Sequence, residues 1–233
     1  MRLILLDMDG TVLMGRSLRA LVQAFGLEGA LEAIDREKEA RGLSEREVAH
    51  RVAALFSGRE LGELFRVFDL IPLTPGAYPW IQERKRAGAV VALVSDSWRP
   101  LVERLARRLG VDEVWANELE VRAGKLTGKL IPPPCPEPLP PGCRRHAVCK
   151  FHALRSLAAK YGIPREEVLA VGDGPVDACM LREAGLGVAL NPKAEEVARA
   201  ADLVVYGDFY DLAQAVGAEE EQDAQGVGSG IVS

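Results

Sequence analysis

Two aspartates separated by one residue follow an apolar run near the start of the chain. Residues 3–6 read Leu-Ile-Leu-Leu, and Asp7, Asp9, Gly10 and Thr11 come directly after them. A fully apolar run this short predicts the buried first strand of a parallel sheet rather than a helix. Because open α/β sheets bind ligands at the carboxyl ends of their strands, the two carboxylates are expected to lie at a ligand site.

Two carboxylates this close in the sequence need a compensating charge. Asp7 and Asp9 would repel each other unless a cation lay between them or one carboxyl group were protonated. Hard oxygen ligands of this kind suit Mg²⁺. The pair therefore predicts a magnesium site, and the alternative interpretation is a βα turn in which the aspartates cap the following helix.

A second buried strand is predicted over residues 90–94, and it ends in polar residues. Ser95 and Asp96 follow it, and a hydroxyl group with free backbone N–H groups at a strand end suits a phosphate. By itself Ser95 is equally explained as a helix cap. Asp96 either reaches an amine of the substrate beside the phosphate or caps the next helix.

Two further segments add charge to the same predicted sheet edge. A third strand is predicted over residues 168–171 and leads into Asp173 and Asp177. Lys150 begins a segment, residues 151–161, that is predicted to be helical. A cation at the start of a helix is electrostatically unfavourable, so a bound anion explains Lys150 better than an ordinary surface position does.

The order of these segments resembles that of the haloacid dehalogenase superfamily. The matching motifs are Asp-x-Asp-x-Thr, a strand followed by serine, a lysine, and Gly-Asp-x-x-x-Asp. Within the superfamily the chain is most similar to the phosphoserine phosphatase branch, whose recurrent phrases appear as Leu-Thr-Pro-Gly-Ala at 73–77, Ala-Asn-Glu-Leu-Glu at 116–120 and Gly-Lys-Leu-Thr-Gly at 124–128. The resemblance extends over nearly the whole chain, as far as about residue 215.

The resemblance implies a phosphomonoester hydrolase that depends on Mg²⁺ and forms an aspartyl-phosphate. It implies that Asp7 is the nucleophile and that Asp9 is the general acid, which later activates water. Mg²⁺ would be held by the Asp7 carboxylate, the Asp9 backbone carbonyl and Asp173. Asp177 would lie behind these ligands and orient the metal-bound water or Lys150.

The resemblance also implies which residues hold the phosphate and the rest of the substrate. These are Gly10, Thr11, Arg51, Ser95, Asp96 and Lys150. Arg51 would meet a carboxylate of the substrate. The chain departs from the phosphoserine phosphatase branch at Arg16, where that branch usually carries a glutamate that contacts the substrate amine, so this position would repel an ammonium group.

The pattern of elements predicts an α/β fold with a doubly wound parallel sheet. From residue 74 onward predicted strands alternate with helices. The resemblance implies a Rossmann-like core made of residues 1–13 and 74–216, with a small helical cap domain over residues 14–73. Residues 217–233 have little to bury, which predicts a disordered tail.

Composition limits the partners that the chain can take. A net charge of −5 provides no basic field for nucleic acid. No apolar stretch approaches the roughly 20 residues that a membrane-spanning helix needs. We therefore expect a cytoplasmic protein. The resemblance implies that it binds a small phosphorylated metabolite, and a homodimer stays an open alternative.

Three cysteines and a histidine lie close together in the sequence before the predicted lysine helix. They are Cys135, Cys143, His146 and Cys149. Mixed Cys/His ligands suit tetrahedral Zn²⁺, but this spacing matches no standard zinc motif. Bound zinc, a disulfide between Cys135 and Cys143, and free thiols all stay open. Cys179 is predicted to be a core residue.

The reaction itself has alternatives at this stage. A phosphotransferase that passes the phosphoryl group to an alcohol such as homoserine would use the same residues. So would a phosphatase of the methionine-salvage enol phosphates. A binding module without catalytic activity is disfavoured, because every position of the implied catalytic machinery is present.

Overall fold

The computed structural model describes residues 1–135, 143 and 146–226, and this part of the chain has an α/β fold. The strands are β1 (Leu3–Leu6), β2 (Val90–Trp98), β3 (Glu113–Arg122), β4 (Lys125–Ile131), β5 (Val168–Gly172), β6 (Leu186–Leu190) and β7 (Leu203–Val205). They form one sheet in the order β4-β3-β2-β1-β5-β6-β7. Every neighbouring pair is parallel except β3 and β4, so the predicted parallel sheet is confirmed.

Helices account for most of the remaining residues. They are α1 (Ser17–Ala24), α2 (Glu28–Arg41), α3 (Glu45–Ala54), α4 (Leu61–Phe68), α5 (Ala77–Arg86), α6 (Arg99–Leu109), α7 (Lys150–Tyr161), α8 (Ala178–Glu183), α9 (Glu195–Ala198) and α10 (Phe209–Gly226). Short 3₁₀ turns lie at Arg165–Glu167 and Pro175–Asp177. None of the described helices combines the length and the apolar character that crossing a membrane requires.

The first strand is central and is buried on both faces of the sheet. Leu3 and Leu5 belong to one buried apolar cluster, and Ile4 and Leu6 belong to the cluster on the other side. This follows from the alternation of side chains along a strand, and it explains why the strand is apolar throughout. The central position puts the residue after Leu6 at the carboxyl edge of the sheet.

The strands next to β1 are in register with its carboxyl end, although β2 continues past that level to Trp98, so that Ser95 and Asp96 lie within it. Leu6 is in register with Leu93 of β2 and with Val171 of β5. The backbone N–H of Asp7 donates to the carbonyl of Val171 at 2.9 Å. Side chains that follow these three strands are therefore brought to one edge, as the sequence predicts.

Helices α1–α4 lie between β1 and α5 in the sequence and pack against each other and against the β3–β4 hairpin. The main chain joins the helical segment to this hairpin, because Gly58 N–H donates to Leu126 O at 2.8 Å and Leu61 N–H donates to Gly124 O at 2.9 Å. Helix α3 packs on β4. The helical content of this segment agrees with the sequence, and its role as a cap domain stays a prediction.

The end of the chain corrects one prediction. Helix α10 continues to Gly226, so the expected disorder from residue 217 is wrong for residues 217–226, while 227–233 lie outside the described residues. Two factors explain the difference. The Ala-, Glu- and Gln-rich sequence has high helix propensity, and Glu220 accepts a hydrogen bond of 2.8 Å from Arg84 of α5.

Candidate active site

A buried lysine joins two buried carboxylates at the carboxyl edge of the sheet. Asp7 follows β1, Lys150 is the first residue of α7, and Asp177 ends the 3₁₀ turn after β5. The ammonium group of Lys150 donates to the carboxylates of both aspartates. All three side chains are almost fully enclosed. A buried charge is stable only when it is paired and hydrogen-bonded, so this contact fixes three separate elements relative to one another.

The protonation states at this contact follow from burial and from the neighbouring charges. Burial raises the pKa of Asp7 well above its usual value, and the positive charge of Lys150 opposes that rise. Burial alone would lower the pKa of Lys150, but the carboxylates of Asp177 and Asp7 raise it above its usual value. Lys150 is therefore a permanent cation at physiological pH.

Asp173 adds a third carboxylate, and one of its oxygens accepts no hydrogen bond. Its Oδ2 is buried and accepts no hydrogen bond from the described residues. Burial, together with the charge of Asp177, raises the pKa of Asp173 to about 6. Ligand oxygens of Asp7, Asp173 and Asp177 lie within 4.8 Å of one another. One lysine cannot balance these carboxylates, so the cluster has the composition and the excess negative charge of a divalent-cation site.

Asp177 has no free oxygen to offer such a cation. Its Oδ1 accepts the hydrogen bond from Lys150, while its Oδ2 accepts the backbone N–H groups of Asp173 at 3.0 Å and Gly174 at 2.9 Å. This arrangement favours the predicted role of Asp177 as a residue that orients Lys150 rather than as a metal ligand. It also fixes the turn that carries Asp173.

Two glycines provide the space that these carboxylates occupy. A Cβ atom on Gly10 would lie 2.2 Å from Oδ2 of Asp173, and a Cβ atom on Gly172 would lie 2.4 Å from Cγ of Asp177. Gly10 also has a φ of +89°, which side chains disfavour. Its N–H donates to Leu13 O at 3.0 Å. The contribution of Gly10 that the structure records is therefore room for Asp173, and its contact with phosphate stays a prediction.

The carboxylate of Asp9 points away from this cluster and binds the start of α1. It accepts a hydrogen bond of 2.9 Å from the backbone N–H of Ser17 and one of 2.7 Å from the Ser17 hydroxyl. Burial raises the pKa of Asp9, and the hydrogen bonds from Ser17 oppose the rise. The sequence analysis missed Ser17. A serine at a predicted helix start was the available signal, but it does not reveal which carboxylate the serine meets.

Ser95 and Thr11 are both buried at the edge of the sheet. The hydroxyl oxygen of Ser95 accepts a hydrogen bond of 3.1 Å from the backbone N–H of Ser97. The carbonyl of Thr11 accepts one of 2.6 Å from the Thr74 hydroxyl, while the hydroxyl of Thr11 has no hydrogen-bond partner in the described part of the chain. Their contacts with phosphate stay predictions.

Asp96 does not cap the next helix, which corrects one alternative from the sequence analysis. Helix α6 begins after Trp98, and no side chain caps it. The Oδ1 of Asp96 instead accepts a hydrogen bond of 2.7 Å from the backbone N–H of Val148, just before α7. Burial raises the pKa of Asp96 to about 6.

Three cations around the site have different positions. Arg51 of α3 pairs with Glu37 of α2, with Nε and Oε2 3.2 Å apart, so its contact with substrate stays a prediction. Arg16 is exposed and directly precedes Ser17, which bonds Asp9. Its charge opposes the rise in the pKa of both Asp9 and Asp173. Lys193, which the sequence analysis missed, has its Nζ 4.0 Å from Oδ2 of Asp173 and is half exposed.

The cysteines near α7 are not joined by a disulfide. Burial and a hydrogen bond with the Cys149 thiol raise the pKa of Cys135 to about 12. Within the described ranges, no three Cys or His side chains bring their ligand atoms within 4.8 Å of one another. Cys179 is half buried beside Arg182, so its prediction as a core residue is wrong. The reason is that α8 is short and leaves this side at the surface.

Comparison with known sequences identifies similar proteins over most of the chain. A family model described as haloacid dehalogenase-like hydrolase matches residues 4–182. The chain is 36% identical over 201 residues to a phosphoserine phosphatase of Mycobacterium tuberculosis, which covers 85% of this chain and 47% of that protein. It is 34% identical over 193 residues to a phosphoserine phosphatase of Archaeoglobus fulgidus, which covers 82% of this chain and 53% of that one. The chain thus spans about half the length of these curated relatives.

Solved structures show the same likeness. A substrate-bound phosphoserine phosphatase complex has a TM-score of 0.75 and 28% sequence identity, and the match covers 92% of this chain and 97% of that one. A structure described as a phospho-aspartyl intermediate analogue of phosphoserine phosphatase has a TM-score of 0.74 and the same identity, with 92% and 98% covered. At this coverage the likeness includes both the sheet and the helical segment between β1 and α5.

The clash at Gly10 can be separated from ordinary backbone strain. Gly88 has a φ of +88°, close to that of Gly10, and a Cβ atom there would meet nothing within 4 Å. We expect Gly88→Ala to lower the free energy of unfolding by about 1 kcal/mol. Gly10→Ala should lower it by about 2 kcal/mol more, because Asp173 or the backbone must move. Denaturant unfolding of both variants measures the difference, and equal losses would contradict the close approach.

The buried charge of Asp173 predicts a pH-dependent gain in stability when that charge is removed. Its folded-state pKa of about 6 exceeds the unfolded value of about 3.9. Asp173 therefore contributes stability below about pH 4 that is lost as the pH rises to about 6, and above that its charge is a constant cost.

We expect Asp173→Asn to raise the free energy of unfolding at pH 8, in EDTA, by on the order of 2 kcal/mol. The gain should nearly vanish at pH 4. Asp35→Asn on the exposed face of α2 is the control and should show neither effect. An Asp173→Asn protein that is less stable than wild type at pH 8 would show that Asp173 is not an unbalanced buried charge.

Proposed function

The chain belongs to the family of haloacid dehalogenase-like hydrolases, and we propose that it hydrolyses the phosphomonoester of a small metabolite through an aspartyl-phosphate on Asp7. It is phosphoserine phosphatase-like in sequence and in fold. The observation that carries the proposal is the contact of Lys150 with Asp7 and Asp177 beside the unpartnered oxygen of Asp173. This arrangement combines a nucleophile, a fixed cation and a carboxylate oxygen without a hydrogen-bond partner in the described residues, all at one edge of the sheet.

The residues present fit Mg²⁺ as the cofactor. The buried, unpartnered Oδ2 of Asp173 and the proximity of Asp7 are the supporting observations. We propose that Asp7, Asp173 and the backbone carbonyl of Asp9 hold the ion, because both oxygens of Asp177 are already engaged. When bound, Mg²⁺ would neutralise charge between the carboxylates and the phosphoryl group.

Asp7 is proposed as the nucleophile and Asp9 as its acid partner. In the first step the Asp7 carboxylate attacks phosphorus, the bond from phosphorus to the ester oxygen breaks, and the Asp9 carboxyl gives its proton to the leaving alcohol. In the second step Asp9 takes a proton from water, the water oxygen attacks phosphorus, and inorganic phosphate leaves Asp7. The raised pKa of Asp9 supports this role, since an acid must hold its proton until the bond breaks.

Lys150 and Ser95 are proposed to hold phosphate oxygens. An ammonium group has three N–H donors, and Lys150 uses two of them on Asp7 and Asp177, which leaves one for the substrate. The Ser95 oxygen accepts from Ser97, and its own hydroxyl proton remains available to donate. The raised pKa of Lys150 keeps it charged, so it stabilises the phosphoryl group and does not transfer a proton.

Hydrolysis is favoured over transfer to an alcohol, because the relatives that match carry the name phosphoserine phosphatase. Their names also favour a small phosphorylated metabolite as the substrate. A cytoplasmic location and a homodimer stay predictions. Product analysis in the presence of alcohols such as homoserine distinguishes the two reactions, since transfer would yield a new phosphoester.

Loss of the Asp7 charge tests the proposed mechanism. Asp7→Asn keeps the shape of the side chain but removes the nucleophile, so kcat on p-nitrophenyl phosphate should fall by at least about 10³-fold. Asp9→Asn should cost less on this substrate than on an alkyl phosphate, because a good leaving group needs little protonation. EDTA should abolish turnover, and added Mg²⁺ should restore it. Full activity in Asp7→Asn, or turnover that survives chelation, would exclude the mechanism.

The charge at Arg16 predicts a preference among substrates. An exposed cation near Asp9 and Asp173 disfavours an ammonium group, so phosphoserine should be a poorer substrate than the same ester without its amino group. Arg16→Glu should shift the ratio of kcat/KM toward phosphoserine by roughly 10-fold or more. Arg19→Glu, at an exposed position in the first turn of α1, which begins directly after Arg16, is the control. If wild type prefers phosphoserine and Arg16→Glu leaves the ratio unchanged, Arg16 does not face the substrate.

A further inference from the structure

The strand β2 bulges where it passes the active site. Val94 is in register with Trp115 of β3, and Trp98 is in register with Asn117. Three residues of β2, 95–97, therefore stand opposite a single residue of β3. A bulge of this kind redirects side chains and is common beside active sites. The redirected residue at its centre is Asp96.

Side chains fix the backbone of this bulge. The amide group of Asn117, which is fully buried, donates to the carbonyl of Asp96 at 2.6 Å. On the other side, the hydroxyl oxygen of Ser95 accepts from the N–H of Ser97 at 3.1 Å. Two backbone groups of the bulge are thus hydrogen-bonded by side chains, which holds the main chain at Asp96 in place.

The Asp96 carboxylate spans from β2 to the main chain that enters α7. It accepts the N–H of Val148 at 2.7 Å, and Val148 is buried, with 1% exposed. The sequence of α7 provides no stabilising side chain at the N-terminus of the helix. Its first turn contains no acidic residue, and its N-cap residue, Cys149, makes no side-chain capping hydrogen bond. Asp96 therefore binds the main chain one residue before the N-cap of α7, and it brings a carboxyl group close to a helix that begins with a lysine.

We propose that Asp96 is a positioning residue for Lys150: it holds the main chain at Val148, two residues before the lysine, and so sets where the ammonium group meets Asp7 and Asp177. Asp96 then acts without touching the substrate. The kinetic part of the test rests on the proposed phosphatase function, whereas the contact with Val148 does not.

Two variants of Asp96 separate its acceptor oxygen from its charge. Asp96→Asn keeps an oxygen that can accept the Val148 N–H, and Asp96→Ala removes it. Asp112→Ala is the matched control, because Asp112 Oδ2 also accepts a backbone N–H of β2, from Val91 at 2.9 Å, but at the opposite end of the strand. p-Nitrophenyl phosphate is the substrate, since it has no amine that a carboxylate could bind.

We expect Asp96→Ala to lower kcat by roughly 10²-fold through displacement of Lys150, with KM changed by less than about threefold. Asp96→Asn should retain at least about tenfold more of the wild-type kcat than Asp96→Ala does, and Asp112→Ala should stay within about threefold of wild type. In a Lys150→Gln background, Asp96→Ala should cost less than about threefold more, because residues that act through one another are not additive. Losses that multiply, or an Asp96→Asn protein as impaired as Asp96→Ala, would overturn the proposal.

Hydrogen exchange at the Val148 amide gives a readout that does not depend on activity. It should accelerate in Asp96→Ala together with exchange in the first turn of α7, and stay slow in Asp96→Asn and Asp112→Ala. Unchanged exchange at Val148 in Asp96→Ala would overturn the proposal even if activity fell. If wild type hydrolyses no phosphoester while Val148 behaves as expected, the proposed function fails and the anchoring of α7 by Asp96 stands.

Discussion

The buried ammonium group of Lys150 is the interaction on which the rest of the site depends. It is held by carboxylates from the ends of two neighbouring strands, so it joins β1, β5 and α7 at one point. Removing Lys150 would leave two buried carboxylates without their cation, which is far more costly than losing an exposed ion pair. The lysine and the two aspartates therefore hold one another in place, and the site has a single geometry before any substrate binds.

The same contact leaves an excess of buried negative charge. Lys150 cannot neutralise Asp7, Asp173 and Asp177 together, so the repulsion between carboxylates adds to burial, which is the main cause of the raised pKa values of Asp7 and Asp173. A functional site commonly lowers the stability of the protein that contains it, and an excess of buried negative charge at a cation site has this effect. Gly10 allows this crowding of carboxylates, because only a residue without a Cβ atom leaves room for Asp173.

Much of the fold and part of the site could be predicted from the sequence. The apolar run before Asp7 and the strand before Asp173 are local patterns, and parallel strands bring their ends together by geometry alone. Ser17, Lys193 and the target of Asp96 could not be found in this way, since each contact joins segments whose spacing carries no periodic signal. The tail was misjudged for a related reason: its composition shows little to bury, but its helix propensity and the distant Arg84 decide the outcome.

The attachment of the helical segment to the β3–β4 hairpin has a consequence for how this architecture can change over evolution. Main-chain hydrogen bonds join Gly58 to Leu126 and Leu61 to Gly124, and a Cβ atom at Gly128 would lie only 3.1 Å from Cα of Ala54. The helices α1–α4 form one continuous stretch of the sequence, but the hairpin to which they are hydrogen-bonded lies about sixty residues further along the chain. Exchanging the insertion alone between related proteins would therefore separate two surfaces that fit each other. A functional chimera must exchange the helices and the hairpin together, as one unit made of two distant stretches of sequence.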